Sequence, residues 1–213
     1  MMAKNDKLLL VIVFISIAIT LLIYGSLPSE IPSHWNIKGE IDAYSSKLFS
    51  LLTAFLPLGI LLLMTYLPLV DPKRAHYLQH HRAYAMIRMA LVAFFLLLHW
   101  IIIFSALGYA LSMARLMPLG IGILFFIIGR FMGQIQPNYT LGIRTPWTMA
   151  DEEIWRKTHR VGGYAFMLSG LVFILAGIIN QPYSFMIAIA SIFVLIFYVF
   201  IYSYLEYKKT KKS

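Results

Sequence analysis

Two short stretches of this chain hold most of the side chains that could do chemistry. The first places His34, Glu40 and Asp42 close together. An imidazole beside carboxylates can act as a general acid–base pair or contribute to a metal site. The spacing fits no metal-ligand template, and no metal site is expected. Pro32 stiffens the start of the stretch, Asn36 and Gly39 suit a turn, and Trp35 and Tyr44 equally suit anchors at a lipid interface.

The second stretch carries Asn138, Gly142, Arg144, Thr145, Pro146 and Trp147, then a charged segment with Trp155, His159 and Arg160. Thr148-x-x-Asp151 resembles a capping box, and Asp151, Glu152 and Glu153 suit the positive end of the helix it would start. Glu152–Arg156 and Glu153–Lys157 are i,i+4 pairs, and Trp155 and His159 share a face. On periodicity alone, this is an amphipathic connector packed on the rest of the molecule. Two further features stand apart. His76 and His80 lie four apart in a segment, Asp71 to Arg88, that reads as a juxtamembrane helix, with Asp71 as cap and Pro72 at the first position. His99 falls inside an apolar run, where a polar group is either functional or hydrogen-bonded to a neighbouring helix. With no cysteine in the chain, thiolate chemistry and disulfides are excluded.

These residues must be positioned by membrane-spanning helices. The chain has 213 residues, 60% hydrophobic and 13% charged, whereas a soluble domain is about 45–50% apolar and about 25% charged. Six apolar runs can each supply the roughly 20 residues of a span. Leu8–Tyr24 ends at Leu27-Pro28, and Leu48–Val70 ends at Asp71-Pro72. The block Met89–Met132 breaks between Gly108 and Pro118, and Val161–Leu205 breaks at Asn180-Gln181-Pro182. Pro57 reads as a kink within the second span. The first span lacks a small-x-small cleavage site and reads as an uncleaved helix rather than a secretory signal. The fold class is all-α: a polytopic integral membrane protein, a six-helix transmembrane bundle with N and C termini cytoplasmic. Residues 1–70 form an N-terminal module with an extracellular loop at 28–47, and 71–88 a basic connector. Residues 89–213 form a C-terminal module with a cytoplasmic loop at 133–160 and a Lys-rich tail. Little chain remains for a soluble catalytic domain or a large cofactor, and no cofactor is expected.

The orientation follows from charge. The chain carries 18 Lys+Arg against 9 Asp+Glu, a net +9. With the N-terminus inside, all of these cations except Lys38, Lys47 and Arg115 fall on the cytoplasmic side, as the positive-inside rule requires. Outside, Glu30, Glu40 and Asp42 balance those three. The excess is therefore topological, the tail meets anionic lipid, and direct nucleic-acid binding is not needed to explain it.

The two stretches together resemble a known family. Leu27-Pro28, Ile31-Pro32, His34-Trp35-Asn36, Gly39, Asp42 and Lys47 are similar to an N-terminal bacterial module first described as a domain of unknown function. Asn138, Gly142 through Thr148, Trp155 and Thr158-His159-Arg160 resemble the C-terminal signature of the SdpI-type immunity proteins. The chain departs from the family at Gly129-Arg130, where Asn usually follows Gly; Arg130 reads here as snorkelling to headgroups. The resemblance implies a multi-pass protein of the bacterial plasma membrane, without enzymatic activity, that protects against a secreted antimicrobial peptide toxin. It also implies a receptor that holds a winged-helix repressor at the membrane. Pro32, His34, Trp35, Asn36, Gly39, Glu40, Asp42 and Tyr44 would then recognise a hydrophobic, cationic peptide outside. Asn138, Gly142, Arg144, Thr145, Pro146, Trp147, Trp155, His159 and Arg160 would form a cytoplasmic readout. Two other classes remain open from the residues: a small peptide or lipid transporter using Pro57, Pro118 and His99, and a membrane enzyme using the acid–base sets around His34 or His159.

Overall fold

A computed structural model describes residues 4–211; Lys212 of the tail lies outside them. The elements run α1 (Lys4–Ile23), β1 (Glu30–Trp35), β2 (Ile41–Ser46), α2 (Leu48–Val70), α3 (His81–Ala106), α4 (Met113–Met132), α5 (Pro146–Ala150), α6 (Glu152–Ile179) and α7 (Pro182–Thr210). All the helices except α5 are long and apolar enough to cross a membrane. The protein is an all-α, six-span membrane bundle with one small β-hairpin.

The helix breaks fall where turn chemistry demands them. Gly108 adopts φ +88 between α3 and α4. Asn180 closes α6 in the left-handed region at φ 54, and Pro182 opens α7, where its missing N–H costs nothing. Pro57 and Pro68 lie inside α2, and Pro118 inside α4.

Two packing units make up the bundle. Leu9, Val13 and Ile17 of α1 meet Ala54 and Leu61 of α2 and Val92 of α3. In the other unit, α4 and α6 run antiparallel with glycine at the crossings. A Cβ on Gly129 would lie 2.5 Å from the Gly163 carbonyl oxygen, and one on Gly122 would lie 2.6 Å from that of Gly170. Gly177 continues the line against the Arg115 carbonyl at 2.9 Å. Glycines spaced by seven on each helix thus allow backbone-to-backbone contact, the means by which apolar helices associate where lipid is as apolar as leucine.

Four expectations are corrected. The outer loop is a hairpin, with β1 antiparallel to β2 and irregular register between Pro32 and Trp35. The connector is a short 3-10 turn, Arg74–Leu78, and α3 already begins at His81, so Arg82 and Arg88 belong to a span. Arg88 turns inward, buried and ion-paired to Asp6 of α1, which is how a charge is tolerated inside a bundle. The expected Thr148–Asp151 box is absent. Thr145 and Thr148 cap α5 reciprocally, and Asp151 caps α6 alone, accepting from Glu153 N and Ile154 N. Finally, Glu152 pairs with Lys73 at 3.1 Å rather than with Arg156, whereas the Glu153–Lys157 pair forms at 3.1 Å.

Candidate functional site

The hairpin and the Asn138–Arg160 region sit at opposite ends of the bundle. β1 packs on α3, and the hairpin tip meets the start of α4. Trp147, by contrast, packs on Phe200 and Tyr204 near the end of α7, and Lys157 pairs with Glu206 there at 3.2 Å.

At the hairpin end the turn builds itself from Asn36. Its Oδ1 accepts from Lys38 N at 2.8 Å and Glu40 N at 3.1 Å, and its Nδ2 donates to Glu40 Oε2 at 2.9 Å. Gly39 takes φ +80 and lies so close to α4 that a Cβ would come 2.7 Å from Ala114 N. His34 and Asp42 face each other across the strands, Nδ1 to Oδ1 at 2.5 Å. An ionised carboxylate only accepts, so Nδ1 carries the proton. Pro32 is buried, Trp35 half-buried, and Tyr44 is exposed. Lys47 lies over the Tyr24 ring at 4.8 Å.

Beneath the hairpin is a cavity of about 690 Å³. The hairpin contributes Ser33 to Ile37, Gly39 and Asp42; α3 contributes Leu98, Ile101 and Ile102. The remaining wall is Met113, Ala114, Met117, Pro118 and Ile121 of α4, with Phe185 of α7. A volume of roughly 300–1,000 Å³, mostly apolar with a few polar groups at the rim, is typical of ligand sites.

At the other end, the recognised residues divide between a buried frame and an exposed edge. Trp155 and His159 stack at 4.0 Å, and both are buried. Ile143 N donates to His159 Nε2 at 2.9 Å, so Nδ1 carries the proton and donates to the Trp155 carbonyl at 2.8 Å. Trp155 Nε1 in turn donates to the Ile135 carbonyl at 2.8 Å. Gly142, at φ +120, lies against the Nε2 edge of the His159 ring, where a Cβ would collide with it. Buried Asn138 accepts from Thr140 N and Leu141 N, and Thr145 Oγ1 donates to Ser203 Oγ at 3.1 Å. Arg144, Pro146 and Arg160 are exposed and Trp147 is half-buried; Arg144 donates to the Tyr139 carbonyl.

Asp71 was read only as a helix cap, yet it does more. It accepts from Tyr77 OH and Tyr139 N, each at 2.9 Å, and from Lys73 N at 2.8 Å, clasping the connector to the later loop. Burial and the neighbouring carboxylate push the Tyr77 phenol well above its usual range. His76 donates to the Pro137 carbonyl at 2.7 Å, and His80 Nδ1 accepts from Gln136 N at 3.2 Å. The two histidines therefore bind backbone, and among the described residues no three His, Asp or Glu gather as a metal would require. In the membrane, His99 meets two helices rather than one: Thr20 of α1 at 2.8 Å and Thr53 of α2 at 3.0 Å.

Residues 134–203 match the SdpI/YfhL protein family, and residues 11–61 match a domain of unknown function, DUF1648. The chain is 26% identical over 212 residues to the immunity protein SdpI of Bacillus subtilis (strain 168), covering 99% of each. No solved structure matches the chain.

Proposed function

The chain belongs to the SdpI/YfhL protein family, and from that premise we propose that it is an immunity protein of the bacterial plasma membrane that binds a secreted antimicrobial peptide at its hairpin end. The observation that carries this reading is the cavity under His34 and Trp35, at the end remote from the Arg144–Trp147 edge. In this reading the hairpin end faces outward and both termini face the cytoplasm, in keeping with the cations concentrated at the terminal end. Peptide binding favours one arrangement of the bundle, because a ligand shifts an equilibrium only by its differential affinity. The exposed Arg144, Pro146 and Arg160, with half-buried Trp147, then present the outcome to a cytoplasmic partner, a winged-helix repressor, while Asn138, Gly142, Thr145, Trp155 and His159 hold that edge in shape.

The protein acts by binding rather than catalysis. His159 has both ring nitrogens engaged, and among the described residues no hydroxyl is hydrogen-bonded to His34 in the way a nucleophile would be. Expression in a toxin-sensitive strain tests the assignment. Trp35→Ala should abolish survival and Arg144→Ala should impair induction of the partner's target genes, with both variants at normal membrane levels. Full survival and full induction in both would remove the assigned roles.

A further inference from the structure

We infer that the open side of the α4–α6 seam is a binding site for one anionic phospholipid, its phosphate held between Arg130 and Arg160 and an acyl chain laid along the seam toward Ile123. The inference stands on the packing of the six-span bundle and does not need the immunity reading.

Contacts made elsewhere on α4 and α6 fix which side of the seam is open. Phe125 of α4 packs on Phe166 and Phe173 of α6, with ring centroids 5.3 and 5.8 Å apart, and closes one side. Gly162, four residues before Phe166, shares that side, and a Cβ there would meet Ile143 and Val199 of α7. The back of α4 belongs to α3, with Phe94 and Leu97 each 3.3 Å from the Cβ position of Gly120. A helix of 3.6 residues per turn then leaves Ile123, Phe126 and Arg130 of α4, and Arg160, Tyr164 and Leu171 of α6, across the glycine line from Phe125 and Gly162. All six are exposed. The Asn138–Thr145 loop lies on His159, toward the covered side, so a lipid at Arg160 does not meet it.

The two arginines stand at one level. A Cβ on Gly133 would lie 3.5 Å from the Arg160 Cα, and Arg130 is three residues before Gly133, a separation of about 5–6 Å on a helix. That level is the end of α4, where headgroups replace hydrocarbon. Among the described residues, the ion pairs at this end use Lys73, Lys157 and Lys209, and none involves Arg130 or Arg160. Two uncompensated guanidiniums within reach of one phosphate can each offer paired N–H donors to its oxygens. Below them Tyr164 adds an aromatic ring of the kind enriched at the membrane interface.

The apolar stripe makes this a lipid site rather than a site for free phosphate. Arg130 to Ile123 runs about 10.5 Å along α4, and Arg160 to Leu171 about 16 Å along α6. One leaflet of hydrocarbon is about 15 Å deep, so the stripe has the reach of a single acyl chain. The charge selects among lipids: a choline headgroup carries its own cation, which the arginines repel, whereas a glycerol headgroup leaves the phosphate charge to them.

Native mass spectrometry of the full chain in detergent, with phosphatidylglycerol and phosphatidylcholine added in equal amounts, tests the site. Phosphatidylglycerol should be retained at least about tenfold more, and Arg130→Gln and Arg160→Gln should each lower that preference about fivefold. Arg82→Gln removes an equal charge from another exposed position at the same end and should leave the preference unchanged. Thermal unfolding reports whether each variant has folded, and two arginine variants keep the test decisive if one has not. Equal retention of the two lipids overturns the inference, and so does an equal loss in Arg82→Gln, which would reduce the effect to general surface charge. Displacement of phosphatidylglycerol by millimolar inorganic phosphate also overturns it, because the acyl chain would then contribute nothing.

Discussion

At the scale of single residues, the Asn138–Arg160 end depends on a few groups with no spare capacity. Gly142 at φ +120 lies against His159, whose two nitrogens are both used. Gly142→Ala adds both backbone strain and a collision with the ring, and should cost about 2 kcal/mol or more. Thermal unfolding in detergent reads this directly, and an unchanged midpoint would mean that the loop is not seated on His159. His80 gives a pH dependence. Burial, with repulsion from His76 second, lowers it from 6.5 to about 4. As pH falls below 6.5 the unfolded chain takes up this proton first, so the contribution is full above 6.5 and is lost toward pH 4, by at most about 3 kcal/mol. Comparing unfolding midpoints of the unmodified chain and His80→Phe at neutral pH and at about pH 5 tests it. Parallel losses in the two would exclude His80 as the source.

At the scale of elements, the spans and their breaks were readable because hydropathy, Pro and Asn mark them locally. The third span was misplaced for an equally physical reason. A rule that treats Arg as a span boundary cannot see that Arg88 is neutralised by Asp6, more than eighty residues away. The hairpin was not legible because β2 is exposed along nearly its whole length, leaving no alternation of apolar and polar residues to mark it as a strand. In the Asn138–Arg160 region, the residue types that matter were recognisable, but their burial was not: Asn138 and His159 look like surface chemistry until their partners are known. The seven-residue glycine spacing of α4 and α6 was present in the sequence as a readable signal of close packing. Its energetic weight can be checked by substitution. Gly129→Leu and Gly122→Leu should each destabilise by about 1–3 kcal/mol. Gly59→Leu, with nothing within 4 Å of its Cβ position, should be neutral to slightly stabilising by helix propensity. A loss at Gly59 as large as at Gly129 would sink the argument from packing.

For the molecule as a whole, polarity between the two ends is the property on which the proposed function depends. The absence of cysteine makes it measurable, since one introduced thiol is the only thiol. In intact cells, Lys38→Cys should react with an impermeant maleimide, and Arg144→Cys should react only after the membrane is opened. Labelling of both from one side would refute the orientation and the two-ended reading with it. The hairpin lies within the first matched segment, residues 11–61, and the Asn138–Arg160 region within the second, residues 134–203. The Asp71 hydrogen bonds to Tyr77 OH and Tyr139 N tie the connector that follows the first segment to the start of the second.

The glycine line between α4 and α6 has a mechanical corollary. Opposed gaps recur only every seven residues, about 10.5 Å along the axis, so a shift by one turn would drive bulky side chains into the facing backbone. Sliding is forbidden, and the freedom that remains is to rock about a central fulcrum. A rod on a fulcrum swings its extremities in opposite senses, so a tilt that carries the Arg115 end of α4 away from Gly177 would press its far tip, at Gly133, toward Arg160.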